Sequence, residues 1–384
     1  MIGRLHVSTS ALRRNAETLR ALVAPAKCAF VVKSNAYGHG LVETALAIEP
    51  LAAALCVYAV EEAVALREGG VTAPILILGP VPPDALADAM LARAQIALWD
   101  VHGYLRDVLT TASVHHRPID AHVKLNTGVN RFGLDPRDAV DAIEEYLKHP
   151  ELNIAGVFSH LASVEELDSP YTELQIQRFL KALTGMQPLF AQRNLQPTTH
   201  IAASAAAMLF PQTRMDLVRV GIALYGLWPS PQIRDALDGQ DVALEPALSF
   251  VSSLATVREV ARGEPIGYGC TYHAANAMRV GVVPLGYADG IPRALSNAGA
   301  FAVDGALCPI VGRVCMNVTL IDLSEARGAH TGSPVTLIGH DGQAVVSADD
   351  WAGWAGTINY EIVARLPAEM PRSHDADDLP PNNI

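Results

Sequence analysis

At 384 residues, half of them hydrophobic, the chain is long enough for two or three domains and can bury a large core. A formal net charge of −12 argues against nucleic acid or an anionic membrane as a partner, and says little about a small zwitterion. The five cysteines are scattered, form no CxxC pair and mostly sit in apolar runs, which points to reduced core thiols rather than a disulfide framework or a zinc site.

The segment from Met1 to His6 lacks the apolar stretch of a signal peptide, and no apolar run reaches transmembrane length, so a cytoplasmic protein is expected. Val7 to Leu22 reads as a first helix capped by Ser8 or Ser10. Short apolar runs then recur: Ala29–Lys33, Ala54–Ala59, Pro74–Gly79, Gln95–Trp99, Ala121–Asn126, Gly156–His160, His200–Ser204 and Asp216–Val220. Between them lie segments with helical periodicity, such as Val60–Glu68, Asp84–Arg93, Pro136–Lys148 and Tyr171–Leu183. Apolar strands alternating with helices indicate a parallel sheet, and eight such units predict an α/β fold of the (β/α)8 TIM-barrel type over residues 1–239. A doubly wound sheet is the alternative, but the GxGxxG fingerprint is absent. From Leu244 onward, short β-branched runs broken by Gly and Pro predict a mainly antiparallel β domain, the second unit being 240–384. Its runs include Ser253–Val257, Val280–Val283, Phe301–Val303 and Pro334–Ile338. Ser347-Ala348-Asp349-Asp350 has the form of a capping box opening one helix, and Pro371–Ile384 reads as a frayed tail.

In a barrel of this type, chemistry sits at the C-terminal strand ends, and these ends are polar. The first ends in Lys33. The fifth carries Lys124 and runs on to Arg131, the sixth ends in Ser159-His160, the seventh in Ser204, and the eighth carries Arg219 before Gly221-Ile222. Each has a plain explanation taken singly: a snorkelling lysine, a satisfied core histidine, a structural ion pair. Together they describe one ligand site. The loops after the last two strands of such barrels commonly hold phosphate, and Ser204 and Gly221-Ile222 lie in those loops.

The stretch Phe30-Val31-Val32-Lys33-Ser34-Asn35-Ala36-Tyr37-Gly38-His39-Gly40 resembles the lysine motif of the alanine racemases. In that family the lysine carries pyridoxal 5'-phosphate through a Schiff base and the following tyrosine, here Tyr37, binds the phosphate. Residues 121–133 are similar to the segment whose arginine, here Arg131, binds the substrate carboxylate and whose lysine, here Lys124, is often carbamylated. Residues 200–206 resemble the phosphate-serine segment (Ser204), with Ala203 where the family usually has Asn. Residues 217–227 resemble the segment whose arginine, Arg219, faces the pyridine nitrogen. His160, Gly221 and Ile222 fall among the cofactor-binding positions. In the β domain, residues 266–272 resemble the segment bearing the second catalytic base, Tyr268. Residues 283–290 place Tyr287 at the substrate entrance, 312–317 bring Met316 and then Asn317 where the family usually has Asp, and 358–363 put Tyr360 near the phosphate.

The resemblance implies racemisation of alanine by two bases, Lys33 and Tyr268, supplying D-alanine for peptidoglycan. It also implies a homodimer whose active sites are shared across subunits, and no metal. A PLP-dependent decarboxylase would place an acid where Arg219 stands, and a PLP-carrier protein would not need the β domain. A broad-specificity or serine racemase remains open because of Ala203 and Asn317.

Overall fold

The computed structural model describes residues 3–240 and 242–375. The chain forms two compact units. One comprises Ala11–Ser34 and Leu41–Pro246; the other comprises the chain up to Ser10, Asn35–Gly40, and the chain from Ala247 onward.

The first unit is the expected barrel. Its eight strands are Lys27–Val31, Ala54–Val57, Ile75–Ile77, Ala94–Leu98, Ile119–Lys124, Leu152–Phe158, Thr198–His200 and Leu217–Val220. All pairings are parallel, and sequence neighbours are spatial neighbours, with the first strand also pairing the eighth. The seventh and eighth are joined by an Ala203–Arg219 bridge and by the Arg219 N–H donating to Ala202 O at 3.0 Å. Strand interiors such as Phe30, Leu55, Ile75 and Val157 are fully buried, as strands covered on both faces require. Helices including Val60–Glu68, Leu86–Leu91, Ala139–Tyr146 and Pro170–Gln192 connect the strands. The last extends well beyond the expected Leu183, with a proline in its first turn where the missing N–H costs nothing.

The second unit is mainly antiparallel. A seven-stranded sheet, a three-stranded sheet (Thr256–Val260, Met278–Val283, Thr319–Asp322) and a two-stranded ribbon make it up. Trp351, fully buried, packs between Phe250 and Phe301 with ring centroids 6.4 and 6.0 Å away. The capping box forms as expected: Ser347 Oγ accepts from Asp350 N and Asp350 Oδ2 accepts from Ser347 N, opening the helix Ala348–Ala355.

Four sequence expectations need correction. Arg4–Val7 is a strand and the first helix starts only at Thr9, because Leu5 and Val7 alternate with Arg4 and His6 and fill one sheet face. This strand pairs antiparallel with Leu248–Ser253, so the start of the chain belongs to the β unit rather than to the barrel. Arg372–His374 runs parallel to the same strand, so the tail is ordered through that point, and the rest of the expected frayed segment, 376–384, lies outside the described residues. The run Ser253–Val257 is divided between two strands, Leu248–Ser253 and Thr256–Val260. Cys28, Cys56 and Cys308 are buried thiols, whereas Cys270 is exposed. Among the described residues no helix is long and apolar enough to cross a membrane.

Candidate active site

The barrel strands deliver a cluster of cations to one mouth. Lys33 stands two residues past the end of the first strand, and the backbone after it is unusual. Ser34, Asn35, Ala36 and Tyr37 have φ of 55, 53, 51 and 52°, a left-handed turn without a single glycine. Such a conformation costs about 1–2 kcal/mol per residue and persists only where surroundings impose it. Within the barrel unit the Glu62 carboxylate accepts the Ser34 N–H at 2.5 Å and the Tyr58 N–H at 2.8 Å, pinning the strand end to the neighbouring turn. Within the β unit Gly38 closes the segment: its φ is +83°, and a Cβ there would meet Val363 O at 2.0 Å. The Lys33 ammonium lies 5.9 Å from the Tyr58 ring centroid. Burial, then the charge of Arg131, holds its pKa below the usual lysine range against the opposing pull of Glu62.

Lys124 ends the fifth strand, buried, with Nζ 5.4 Å from the Phe132 ring and 5.3 Å from the Phe158 ring. Burial and the charges of Arg131, Arg219 and Lys33 push its pKa down to about 8. Arg131 sits on the loop that follows, exposed. That loop is anchored from below: Thr127 Oγ1 and Ser159 Oγ are 2.8 Å apart, Arg178 donates to Thr127 O at 3.0 Å, and Tyr171 donates to Gly128 O at 2.9 Å.

Arg219 is buried in the eighth strand. Its guanidinium donates to Ser159 O, Ile201 O and His200 O, to His200 Nδ1 at 2.6 Å and to His160 Nδ1 at 3.3 Å. Every one of these acceptors is neutral. Burial lowers its pKa to about 10, so it stays a cation at neutral pH. Burial and the neighbouring Arg219 push His160 down to about 3, leaving it a neutral ring. Ser204 is buried just past the seventh strand, and its Oγ accepts the Gly221 N–H at 2.9 Å. Gly221 precedes the short 3-10 turn Ile222–Tyr225, whose leading N–H groups have no acceptor within the turn. Tyr225 fixes that turn by donating to Val31 O at 2.8 Å.

Among the described residues no carboxylate is hydrogen-bonded or ion-paired to Lys33, Lys124, Arg131 or Arg219. A mouth with several cations, none of them ion-paired, a buried serine and a glycine turn suits an anionic ligand. It fits a phosphate-bearing aldehyde cofactor, with Lys33 as the amine.

In the β unit the remaining candidates fall into three groups. The rings of Tyr37 and Tyr360 lie 6.2 Å apart. Tyr287 and Met316 are both exposed and sit on loops tied together by Tyr287 N donating to Cys315 O and Ala288 N to Met316 O, each at 2.9 Å. Asn317 donates to Asp289 Oδ2 at 3.3 Å in the same pair of loops. Tyr268 is 73% exposed on a tight turn flanked by Gly267 and Gly269, whose φ values of 74 and 73° only glycine adopts readily.

Sequence reasoning missed His200, which bonds Arg219 within the barrel, and His122 and Gln95 behind it; their inward positions alternate with apolar ones along strands that read as continuous apolar runs.

The family model for the alanine racemase N-terminal domain matches residues 7–229, and that for the alanine racemase C-terminal domain matches residues 247–374. The chain is 36% identical over 374 residues to the alanine racemase of Symbiobacterium thermophilum, covering 97% of this chain and 96% of that protein. Its fold superposes on the alanine racemase of Streptomyces coelicolor A3(2) with a TM-score of 0.90 at 33% identity, covering 98% of each chain. The alanine racemase of Bartonella henselae, solved with covalently bound pyridoxal phosphate, superposes with a TM-score of 0.85 at 25% identity, over 98% of this chain and all of that one. The (β/α)8 barrel followed by a mainly antiparallel β unit, and the matches along nearly the whole length, show that the chain belongs to the alanine racemase family and is an isomerase of that kind.

Proposed function

We propose that the protein interconverts L-alanine and D-alanine with pyridoxal 5'-phosphate at the barrel mouth, using Lys33 and Tyr268 as the two acid–base groups. The observation that carries this reading is the cluster of Lys33, Lys124, Arg131 and Arg219, none ion-paired among the described residues, beside the Ser204–Gly221 cup. Pyridoxal phosphate, when bound, supplies the electron withdrawal that makes the Cα proton removable.

The phosphate falls to Ser204 and the Gly221-Ile222 backbone, with Tyr37 and Tyr360 as further donors. Lys33 is the amine that anchors the cofactor; with its proton affinity reduced by burial, the released amine can take a proton from one face of Cα. The Tyr268 phenol returns one on the opposite face. Arg131 holds the substrate carboxylate through its planar fork, while Tyr287 and Met316 line the approach. Arg219 would face the ring nitrogen. A guanidinium keeps its protons, so the nitrogen would be left an acceptor and the reaction confined to proton removal and return. His160, bonded by Arg219, would flank the ring.

The reading extends to a homodimer in which Tyr268 and Met316 serve the other subunit's cofactor, in the cytoplasm, with D-alanine destined for peptidoglycan. Two features bear on substrate range: Ala203 beside Ser204, and Asn317, which brings an amide where a carboxylate is usual in the family.

Borohydride reduction should fix the cofactor on the peptide containing Lys33, and a chiral assay across alanine, serine, lysine and arginine should show alanine racemised fastest. A protein that takes up no pyridoxal phosphate would sink the reading. Serine or a basic amino acid turned over faster than alanine would replace it with a racemase of different range.

A further inference from the structure

Interiors of (β/α)8 barrels are filled mainly by branched aliphatic side chains. Here four inward positions carry polar groups that bond end to end. Arg219 Nη1 donates to His200 Nδ1 at 2.6 Å. His200 Nε2 lies 2.8 Å from His122 Nδ1, and His122 Nε2 lies 3.1 Å from Gln95 Oε1. The chemistry of the first bond decides the rest. A guanidinium has donors only, so His200 Nδ1 must present a lone pair. His200 then carries its proton on Nε2 and donates to His122 Nδ1, which must present a lone pair in turn. The His122 proton is therefore on Nε2 and goes to the Gln95 carbonyl oxygen. One direction of donation satisfies all the groups, and it leaves both imidazoles neutral.

The barrel is shaped around this chain. His200 and His122 are 0 and 4% exposed. Gly156 makes room for it: a Cβ at that position would meet His122 Nδ1 at 2.3 Å. The Phe158 ring stacks on His200 at 4.9 Å with an interplanar angle of 1°, fixing the plane in which Nδ1 meets the guanidinium. Burial and the Arg219 charge hold the pKa of His200 well below the usual range, and the same causes hold that of His122 at about 4. At its far end the chain reaches a cavity of about 850 Å³ at the N-terminal ends of the strands, lined by Gln95 and His122 together with Leu76, Thr198 and Leu217. The chain thus crosses the barrel from its mouth to its base.

We propose that His200, His122 and Gln95 are positioning residues that act as a one-directional hydrogen-bond chain, fixing the plane of Arg219 and keeping its positive charge on the guanidinium at the mouth. A neutral chain of acceptors orients the arginine without a carboxylate that would cancel its charge. The functional part of this inference rests on the proposed racemase reading; the protonation pattern does not. Neutron diffraction from deuterium-exchanged crystals of the purified protein should place a deuteron on Nε2 of His122 and of His200 and none on either Nδ1. A deuteron on Nδ1 of either ring would overturn the chain, whatever reaction the protein catalyses.

Replacing Gln95 with Leu removes the terminal acceptor outside the reacting groups. It should lower kcat about tenfold, as loss of an outer hydrogen-bond partner does at ligated histidines, with KM little changed and a shift in the visible absorbance of the bound cofactor. An unchanged kcat and spectrum in Gln95→Leu would overturn the positioning role.

Discussion

Ser204 Oγ accepts the Gly221 N–H at 2.9 Å, joining the loop after the seventh barrel strand to the loop after the eighth. The hydroxyl of a buried serine has one proton to give as well as lone pairs to accept with. Accepting from Gly221 leaves that proton free to point at an anion, while the bond holds the glycine turn in place.

Ser204→Ala should therefore weaken the cofactor in two ways, through the lost donor and the loosened turn. A hydrogen bond to a charged group is worth about 1.5–3 kcal/mol, so affinity for pyridoxal phosphate should fall roughly ten- to a hundredfold. Equilibrium titration of the apoprotein, followed by visible absorbance, reads this directly. Affinity equal to that of the wild type would remove Ser204 from the phosphate site.

Lys124 is a lysine whose protonated form the site disfavours. It is buried among Arg131, Arg219 and Lys33, which with desolvation bring its pKa to about 8. An amine that is partly neutral near neutral pH can attack CO2: the N–C bond forms, a proton leaves to solvent, and a carbamate anion replaces a cation. That exchange turns repulsion with Arg131 into an ion pair able to orient the guanidinium for the substrate carboxylate. Crystallographic density at Lys124 is expected to extend beyond Nζ into a planar group. Density ending at the amine, with no anion against it, would count against carbamylation. If the modification matters, Lys124→Ala should lose activity and regain part of it with an added short carboxylate.

The barrel was legible because its strands are continuous apolar runs at regular spacing, a pattern dictated by burial on both faces. Lys33 and Ser204, the proposed anchor and phosphate residues, stand where those runs stop. Three other features were hidden. The left-handed turn after Lys33 contains no glycine until Gly38, so Ser34, Ala36 and Tyr37 gave no local sign of a positive φ, and Asn35 alone hinted at it. The alternation of His122 and Lys124 in the fifth strand signals a polar barrel interior, but it is diluted by Ala121 and Val123. Strand Arg4–Val7 was not foreseen, and its last residue was read into the first helix, because its partners, Leu248–Ser253 and Arg372–His374, lie more than two hundred residues away.

The buried histidines make the fold acid-sensitive. Burial is the main cause that holds His39 and His122 at about 4 and His160 at about 3, and His200 is held well below the usual range. In the unfolded chain each takes up a proton near pH 6.5. Between that value and about 4 the unfolded state binds more protons than the folded one, so stability rises with pH across this window and falls on acidification. Urea midpoints should drop steeply from pH 6.5 downward. A profile unchanged to pH 5 would contradict the assignment of these rings as neutral.

The two-base assignment is tested by removing each base separately and then combining the variants. Tyr268→Phe deletes the phenolic proton carrier with little change in volume, at an exposed position where no core contact is lost. Cofactor absorbance should survive, because Tyr268 is not assigned to the phosphate. Racemisation should fall in both directions by roughly two to four orders of magnitude, the usual effect of losing a positioned acid–base group. Solvent deuterium washing into Cα from one enantiomer should be retained, since Lys33 still serves its own face, and exchange from the other should be lost. Lys33→Ala should lose both activity and covalent cofactor. If sites are shared across subunits, mixing the two variants under conditions of subunit exchange gives heterodimers with one doubly damaged site and one intact site, and activity should reappear in the mixture. Heterodimers that demonstrably form yet stay inactive would mean that Tyr268 acts on its own chain's cofactor or is not the second base; equal loss of exchange from both enantiomers in Tyr268→Phe would select the latter.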